Sequence, residues 1–226
     1  MRRFLLSVLI LLSCGRASAQ VYFCTTPSSS CRYVRTECRN GKVKWVHTMT
    51  IDSVSILEDG AREVRYRSSF KDDKGKNITD GDINLSAVID KDGNVGITLS
   101  DAIASVLHSF LPNARIVSDG GRTVLPSAMN PGDVLPDAST SATAGVIRYT
   151  AAVTDRHVLR RESLTTPAGT FDCIVISEHK EEKAGPYNRV TNAYTWYSPG
   201  VGMVRHDTYD KNMKQETSEV LHEFKH

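Results

Sequence analysis

A mainly β fold is predicted by three features of the sequence: antiparallel hairpins curling into a partial barrel or sandwich, with one amphipathic helix over about residues 101–111 packed on or in it. Apolar and polar residues alternate with a period of two through much of the chain, as half-buried strands require. Turn-forming clusters separate these runs, in DDKGKN around Gly75, DKDGN around Gly93, TPAG around Gly169, SPGV around Gly200 and DKNMK around Asn212. One segment breaks the period. From Asp101 to Leu111 the apolar Ile103, Val106, Leu107, Phe110 and Leu111 recur at helical spacing, with Ser100 or Asp101 as a cap and Pro112 as a stop.

Taken in order, the first element is a targeting signal over residues 1–19. Arg2 and Arg3 make a basic start, Phe4 to Leu12 an apolar core, and Ala17, Ser18 and Ala19 a small-residue cleavage site before Gln20. The expected location is therefore outside the cytoplasm, in the periplasm or cell envelope. Leu11, Leu12, Ser13 and Cys14 also form a passable lipobox, so a lipoprotein anchored through Cys14 is the alternative, although Leu12 is larger than that motif usually takes. No other run approaches the ~20 apolar residues of a membrane helix, so no transmembrane span is expected.

Residues 20–226 are expected to form a single β domain. Lys42 to Ile51 places Val43, Trp45, His47, Met49 and Ile51 on one face, and Glu63 to Lys71 places Val64, Tyr66, Ser68 and Phe70 opposite its charged residues. Further strands are read at Val146–Val153, Val158–Leu164, Arg189–Tyr197, Met203–Tyr209 and Glu216–Phe224, about ten strands in all. The Pro-, Ser- and Ala-rich stretch 127–144 reads as a long connection and a possible sub-boundary. The Asp101–Leu111 helix must bury its apolar face against a sheet or in the mouth of a curved one, which makes Ile103, Val106, Leu107 and Phe110 candidate ligand-facing residues. Tyr194 and Trp196 share a strand face and join them, with core or barrel wall as the simpler role.

Composition narrows the function classes. The chain has 28 Lys and Arg against 26 Asp and Glu, and loss of Arg2, Arg3 and Arg16 with the signal takes the 28 to 25, a net charge of about −1. A near-neutral chain without a dense basic stripe has no electrostatic footprint for nucleic acid. The seven histidines form neither HxH nor HExxH, and Cys24, Cys31 and Cys38, seven residues apart, match no common zinc spacing. No metal or other cofactor is expected. Asp90, Asp92, Asn94 and Asp101 imitate a calcium loop, but Val95 stands where that loop needs Gly, so a plain hairpin turn is the better reading.

The run TTPAGTFDCIVISEH puts Cys173 and His179 close in sequence, yet six residues of strand separate them by roughly 20 Å, far beyond the ~3 Å reach of a general base. A thiol enzyme is therefore not expected, and a buried or disulfide-bonded Cys173 is. The four mature cysteines allow three pairings, and a bond from the N-terminal segment to Cys173 would staple a terminus to a core strand.

The segments GKVKWVHTMTI, TVLPSAMNPGDVLPDA, LTTPAGTFDCIVISEHK and WYSPGVGMVRHDTYDK together resemble the TapB-like family of exported bacterial proteins, a 3108-like domain of unknown function. The resemblance runs over nearly the whole chain from about Val21. It implies an antiparallel β protein of the cell envelope without a catalytic set. Cys31 and Cys38 do not belong to the family's pattern, which leaves Cys24 and Cys173 as the matched disulfide pair. The expected function is a non-catalytic binding or interaction module with an envelope protein as partner. The alternative is a half-open barrel carrying a lipid or other apolar ligand, for which Ala151 and Ala152 would leave room, and the weakest reading is a hydrolase.

Overall fold

The structure is a computed structural model that describes residues 19–98 and 116–226. The strands are β1 Ser30–Glu37, β2 Val43–Ile56, β3 Arg62–Lys71, β4 Ile83–Ile89, β5 Val95–Thr98, β6 Ile116–Gly120, β7 Arg122–Leu125 and β8 Val134–Leu135. They continue with β9 Ala138–Ala144, β10 Ile147–Thr166, β11 Gly169–Ala184, β12 Tyr187–Ser198, β13 Gly202–Tyr209 and β14 Gln215–Lys225. All fourteen belong to one sheet, in which β9 to β14 and then β1 to β5 follow one another as an antiparallel meander.

The sheet's two edges, β6 and β7, are halves of one continuous segment. Ile116 to Gly120 pairs with β9, and Arg122 to Leu125 pairs with β5. The segment changes neighbours at Gly120 and Gly121, where the Gly121 amide donates to the Ser139 carbonyl at 2.8 Å. A nearly closed barrel results, in which the edges are reduced to the outer sides of two short strands of five and four residues. Gly120, at φ 150°, lies so close to β9 that a Cβ there would stand 2.4 Å from the Thr140 Cα.

A second contact holds this seam. Irregular register between Thr154 and His157, with Asp155 at φ 51°, turns Arg156 inward. Its Nη1 donates to the carbonyls of Pro136 at 2.9 Å and Val124 at 3.3 Å, and the side chain is 2 % exposed. One guanidinium thus ties β10 to β7 and to the chain entering β9.

The inner face carries Cys31, Tyr33, Met49, Ile51, Val64, Ala87, Ile89, Val95, Leu125, Val204 and Leu221, all buried. One end of the barrel holds the β2–β3, β4–β5, β10–β11 and β12–β13 turns, and the N-terminal segment closes it. The Gln20 amide donates to the Ser127 carbonyl, the Gly200 amide to the Val21 carbonyl, and the Ser28 amide to the Ile51 carbonyl. Tyr22, Phe23 and Cys24 are buried between, and the Phe23 ring lies 5.4 Å from that of Tyr66.

The expected fold class needs correction. Mainly β is right, but the partial barrel or sandwich completed by a helix is replaced by a sheet that nearly closes on itself, with no helix among the described residues. The physical reason is that inward side chains and the Tyr22–Cys24 plug fill the described core, so the inner face is buried by the sheet's own curvature. The residues of the expected helix, 101–111, lie outside the described ones, as do Ile103, Val106, Leu107 and Phe110. Most of the export signal, residues 1–18, lies outside them too. Stretch 127–144 is no bare connection, since it holds β8 and β9 and is sewn into the same sheet.

Closure through Gly120 predicts that Gly120→Ala costs about 3 kcal/mol, because backbone must shift. Gly185→Ala, at a turn with φ 58° and open space around it, should cost only about 1 kcal/mol. Urea unfolding of the two variants checks this; equal midpoints would refute the closure.

Candidate functional site

Cross-strand register assembles a row of polar side chains on the inner face, toward the end holding the β1–β2, β11–β12 and β13–β14 turns. Thr195 on β12 stands opposite His206 on β13, His206 opposite Glu219 on β14, Glu219 opposite Arg35 on β1, and Arg35 opposite Trp45 on β2. Directly opposed residues share a sheet face. In the neighbouring row Leu221, Tyr33, His47 and Phe70 follow in the same order.

Arg35 sits at the centre. Its Nη1 donates to Glu219 Oε2 at 3.1 Å, Nε to Thr217 Oγ1 at 3.0 Å and Nη2 to Thr208 Oγ1 at 2.9 Å. The guanidinium carbon lies 4.8 Å from the centre of the Trp45 ring, a cation–π distance. Glu219, 6 % exposed, turns its other oxygen to His47 Nδ1 at 3.4 Å. A carboxylate only accepts, so Nδ1 carries the proton there and Nε2 faces the Ser68 hydroxyl at 3.1 Å. The His47 ring stacks on Phe70 at 4.4 Å and on Tyr33 at 5.4 Å, and the Tyr33 hydroxyl donates to the Met203 carbonyl at 2.9 Å.

Burial alone would raise the Glu219 carboxyl, but first the His47 hydrogen bond and then the His47 and Arg35 charges outweigh it and hold it below the ordinary range. His206 is pushed down to about 4, first by burial and then by the Arg35 charge, so it is a neutral imidazole, 2.8 Å from Thr195 Oγ1 through Nδ1. A second pair joins β10 and β11. Arg156 Nε and Glu178 Oε2 are 3.9 Å apart, and burial raises the Glu178 carboxyl although Arg156 and Lys180 pull it back. These groups neutralise one another; they do not present a nucleophile to a cleft.

The residues singled out from the sequence fall elsewhere. Cys24 and Cys173 are both buried, and all four cysteines of the described chain are free thiols, so the structure holds no Cys24–Cys173 bond. Cys173 Sγ lies 3.5 Å from the Phe171 carbonyl, and burial, with Glu162 and Asp172 adding, pushes the thiol up to about 12. Cys31 is likewise pushed up to about 12, first by burial. His179 pairs with Asn192 at 3.0 Å, remote from that thiol. Tyr194 and Trp196 lie on the outer face, opposite Asp207 and Arg205 respectively. Trp196 donates its indole N–H to Glu162 and lies under the Arg205 guanidinium at 5.0 Å, while Tyr194 meets Tyr209 edge-on at 5.3 Å.

The calcium-like loop is a turn. Asp90 accepts from the Asp92 and Asn94 amides, each at 2.9 Å, and from the Asn94 side chain at 2.8 Å. Among the described residues no three His, Cys, Asp or Glu side chains converge as metal ligands. Clefts of about 280, 360 and 340 Å³ open on the surface and are lined by residues of both charge signs.

A sequence profile of the DUF3108-like family matches residues 32–221, from β1 into β14. The chain belongs to this family. The same fold occurs in a predicted exported protein with a YmcC-like fold from Bacteroides fragilis, at 22 % identity and a TM-score of 0.75, covering 92 % of this chain and 100 % of that one. It occurs again in a predicted lipoprotein from Parabacteroides distasonis, at 23 % identity and a TM-score of 0.73, covering 92 % and 99 %. No curated protein matches the chain. The family match ends short of Cys24, so the N-terminal plug lies outside the matched range.

Arg35, His47, His206 and Glu219 escaped the sequence reading as a set. A charged residue in phase with an apolar face was the available signal: Arg35 follows Cys31 and Tyr33 on β1, and Glu219 precedes Leu221 on β14. Two outcomes follow from the cluster. Arg35→Met should cost about 3–5 kcal/mol by stranding Glu219, and adding Glu219→Leu should restore most of it; denaturant melts of single and double variants measure this. The folded His206 titrates below its ordinary 6.5, so its contribution is complete above about pH 6.5 and is lost as pH falls toward 4. After allowance for ring area still open to solvent this amounts to about 2 kcal/mol, and His206→Asn should flatten the melting temperature across that window.

Proposed function

We propose that the chain is an exported protein of the bacterial cell envelope that acts without catalysis, as a binding or interaction module. The single observation supporting this is the state of the interior: its charges are paired, with Arg35 held by three partners, and burial pushes the Cys31 and Cys173 thiols far above neutrality. Cys173 does line the cleft of about 360 Å³, but beside Glu162 and Asp172, which with burial hold it as a protonated thiol and not as the thiolate a nucleophile needs. The basic, apolar and small-residue signature of residues 1–19 supports export. The descriptions of the two structural neighbours, one exported protein and one lipoprotein, are in keeping with it.

The carrier reading has less support. Tyr33, Met49, Ile51, Val64, Leu125 and Leu221 occupy the space that an apolar ligand would need. A lipid carrier has a lined cavity of at least ~300 Å³ enclosing most of its cargo, whereas the clefts of that size here open on the outside.

Chloroform–methanol extraction of protein purified without detergent from a periplasmic fraction should yield far less than one lipid per chain. A stoichiometric lipid, retained through purification, would reverse the choice in favour of the carrier.

A further inference from the structure

We propose that the hairpin tips at the polar end of the barrel form a docking face for an anionic phospholipid surface. The strand directions place the β9–β10, β11–β12, β13–β14 and β1–β2 turns at this one end, on hairpins that are neighbours in the sheet. Adjacent hairpins repeat every two strands, so their tips stand roughly 10 Å apart in a row.

Three consecutive tips each expose a large apolar side chain. Val146 is 101 % exposed, Tyr187 47 % and Met213 49 %. Single exposed apolar residues are common on any surface. One at each of three neighbouring tips is an arrangement that a sheet of hairpins presents to a plane, and aromatic and apolar side chains at that depth suit the headgroup boundary of a bilayer.

Charge supplies the choice of occupant. Arg39, Lys42, Lys44, Lys183, Lys211 and Lys214 are exposed around the same tips. Glu181 is occupied by Lys183 at 3.0 Å and Glu216 by Arg189 at 2.6 Å. Asp210 turns its carboxylate into its own hairpin, accepting from the Asn212 amide at 2.8 Å and the Lys214 amide at 2.9 Å. Among the described residues Arg39, Lys42, Lys44, Lys211 and Lys214 make no ion pair, and they outnumber the unpaired carboxylates of Glu37 and Asp210 there, which leaves the tips with surplus positive charge. The β3–β4 loop, with Asp72, Asp73 and Asp80, bounds the row on one side. The opposite end of the barrel also exposes apolar residues, Ile56 at 79 % and Leu57 at 37 %, but beside Glu58, Asp59 and Asp92. That end would be repelled by the same membrane.

The inference rests on the reading of an envelope protein that acts through its surface. Vesicles of phosphatidylglycerol and phosphatidylethanolamine should sediment the full mature chain at low ionic strength, and pure phosphatidylcholine vesicles should not. Each basic residue at a membrane surface contributes about 1 kcal/mol, so reversing Lys183, Lys211 and Lys214 to Glu should weaken binding at least a hundredfold. Tyr187→Ser should weaken it severalfold, and Ile56→Ser at the far end should leave it unchanged. Circular dichroism melts of each variant confirm that the barrel is intact. No sedimentation of the wild type overturns the inference, as does equal loss with Ile56→Ser, which would indicate head-to-tail contact between copies of the chain. If vesicles are ignored while lipid extraction still comes back empty, docking alone falls and the interaction-module reading stands.

Discussion

Closing a meander into a barrel creates seams that no hairpin supplies, and fixing register at those seams is the constraint on which the rest of the structure depends. Within a hairpin the turn sets the register. Between β14 and β1, whose paired residues Arg35 and Glu219 are 184 positions apart, no turn exists. The same holds where the segment 116–125 leaves β9 for β5. A slip of one residue at either seam would turn a whole strand inside out. An arginine stands at each. Arg35 engages Glu219, Thr217 and Thr208 across the terminal strands, and Arg156 engages the Val124 and Pro136 carbonyls across the closing segment. Buried ion pairs are weak sources of net stability and are best attested as devices that choose one register over another. That use accounts for charges in a core that apolar residues could otherwise have filled.

The seams also limit how the protein can meet a partner. An open sheet offers its edge to a strand from another chain. Here the edges are two short halves of one segment, each paired on one side, so among the described residues only four or five residues of edge at each half remain for strand addition. The outer face is largely a lattice of short ion pairs such as Arg160–Glu162, Arg205–Asp207 and Lys183–Glu181, each adding little energy but keeping the wall polar. What projects beyond this wall is the set of turns, and it is there that large apolar side chains stand free in solvent.

Local features of the fold were legible in the sequence and non-local ones were not. Alternation correctly placed Trp45, His47, Met49 and Ile51 on one face of β2, and turn chemistry marked the hairpins at Gly75, Gly93, Gly169 and Gly200, each with positive φ. The strand distance between Cys173 and His179 also held, His179 meeting Asn192 and not the thiol. By contrast β8 and β9 were lost in the apparent 127–144 connection, because Ala138, Thr140, Ala142 and Ala144 point inward and such small side chains write almost no hydrophobic period; the short β6 and β7 before it were not read as strands either. Two predicted strands proved to be the single β10, since the irregularity at Asp155 interrupts alternation without ending the ladder. The Arg35 cluster depends on four strands from both ends of the chain, and no window of sequence contains it.

Polarity along the barrel axis links these observations. At the end plugged by Tyr22, Phe23 and Cys24 the interior is apolar, lined by Ile51, Val64, Ile89, Val95 and Leu125. Toward the other end it becomes a field of hydrogen-bonded groups, Arg35, His47, Thr208, Thr217 and Glu219. A buried polar group is tolerable only with partners, and a network this size is easiest to satisfy where water is near. The gradient therefore separates two tasks. The apolar half, sealed by the N-terminal segment, supplies most of the burial that holds the barrel together, and the polar half fixes the pairing of the terminal strands. Because those strands carry the β1–β2 and β13–β14 turns, whatever orders the Arg35 cluster also orders the basic tips above it. The internal charges and the external ones are thus mechanically one unit, joined through β1 and β14.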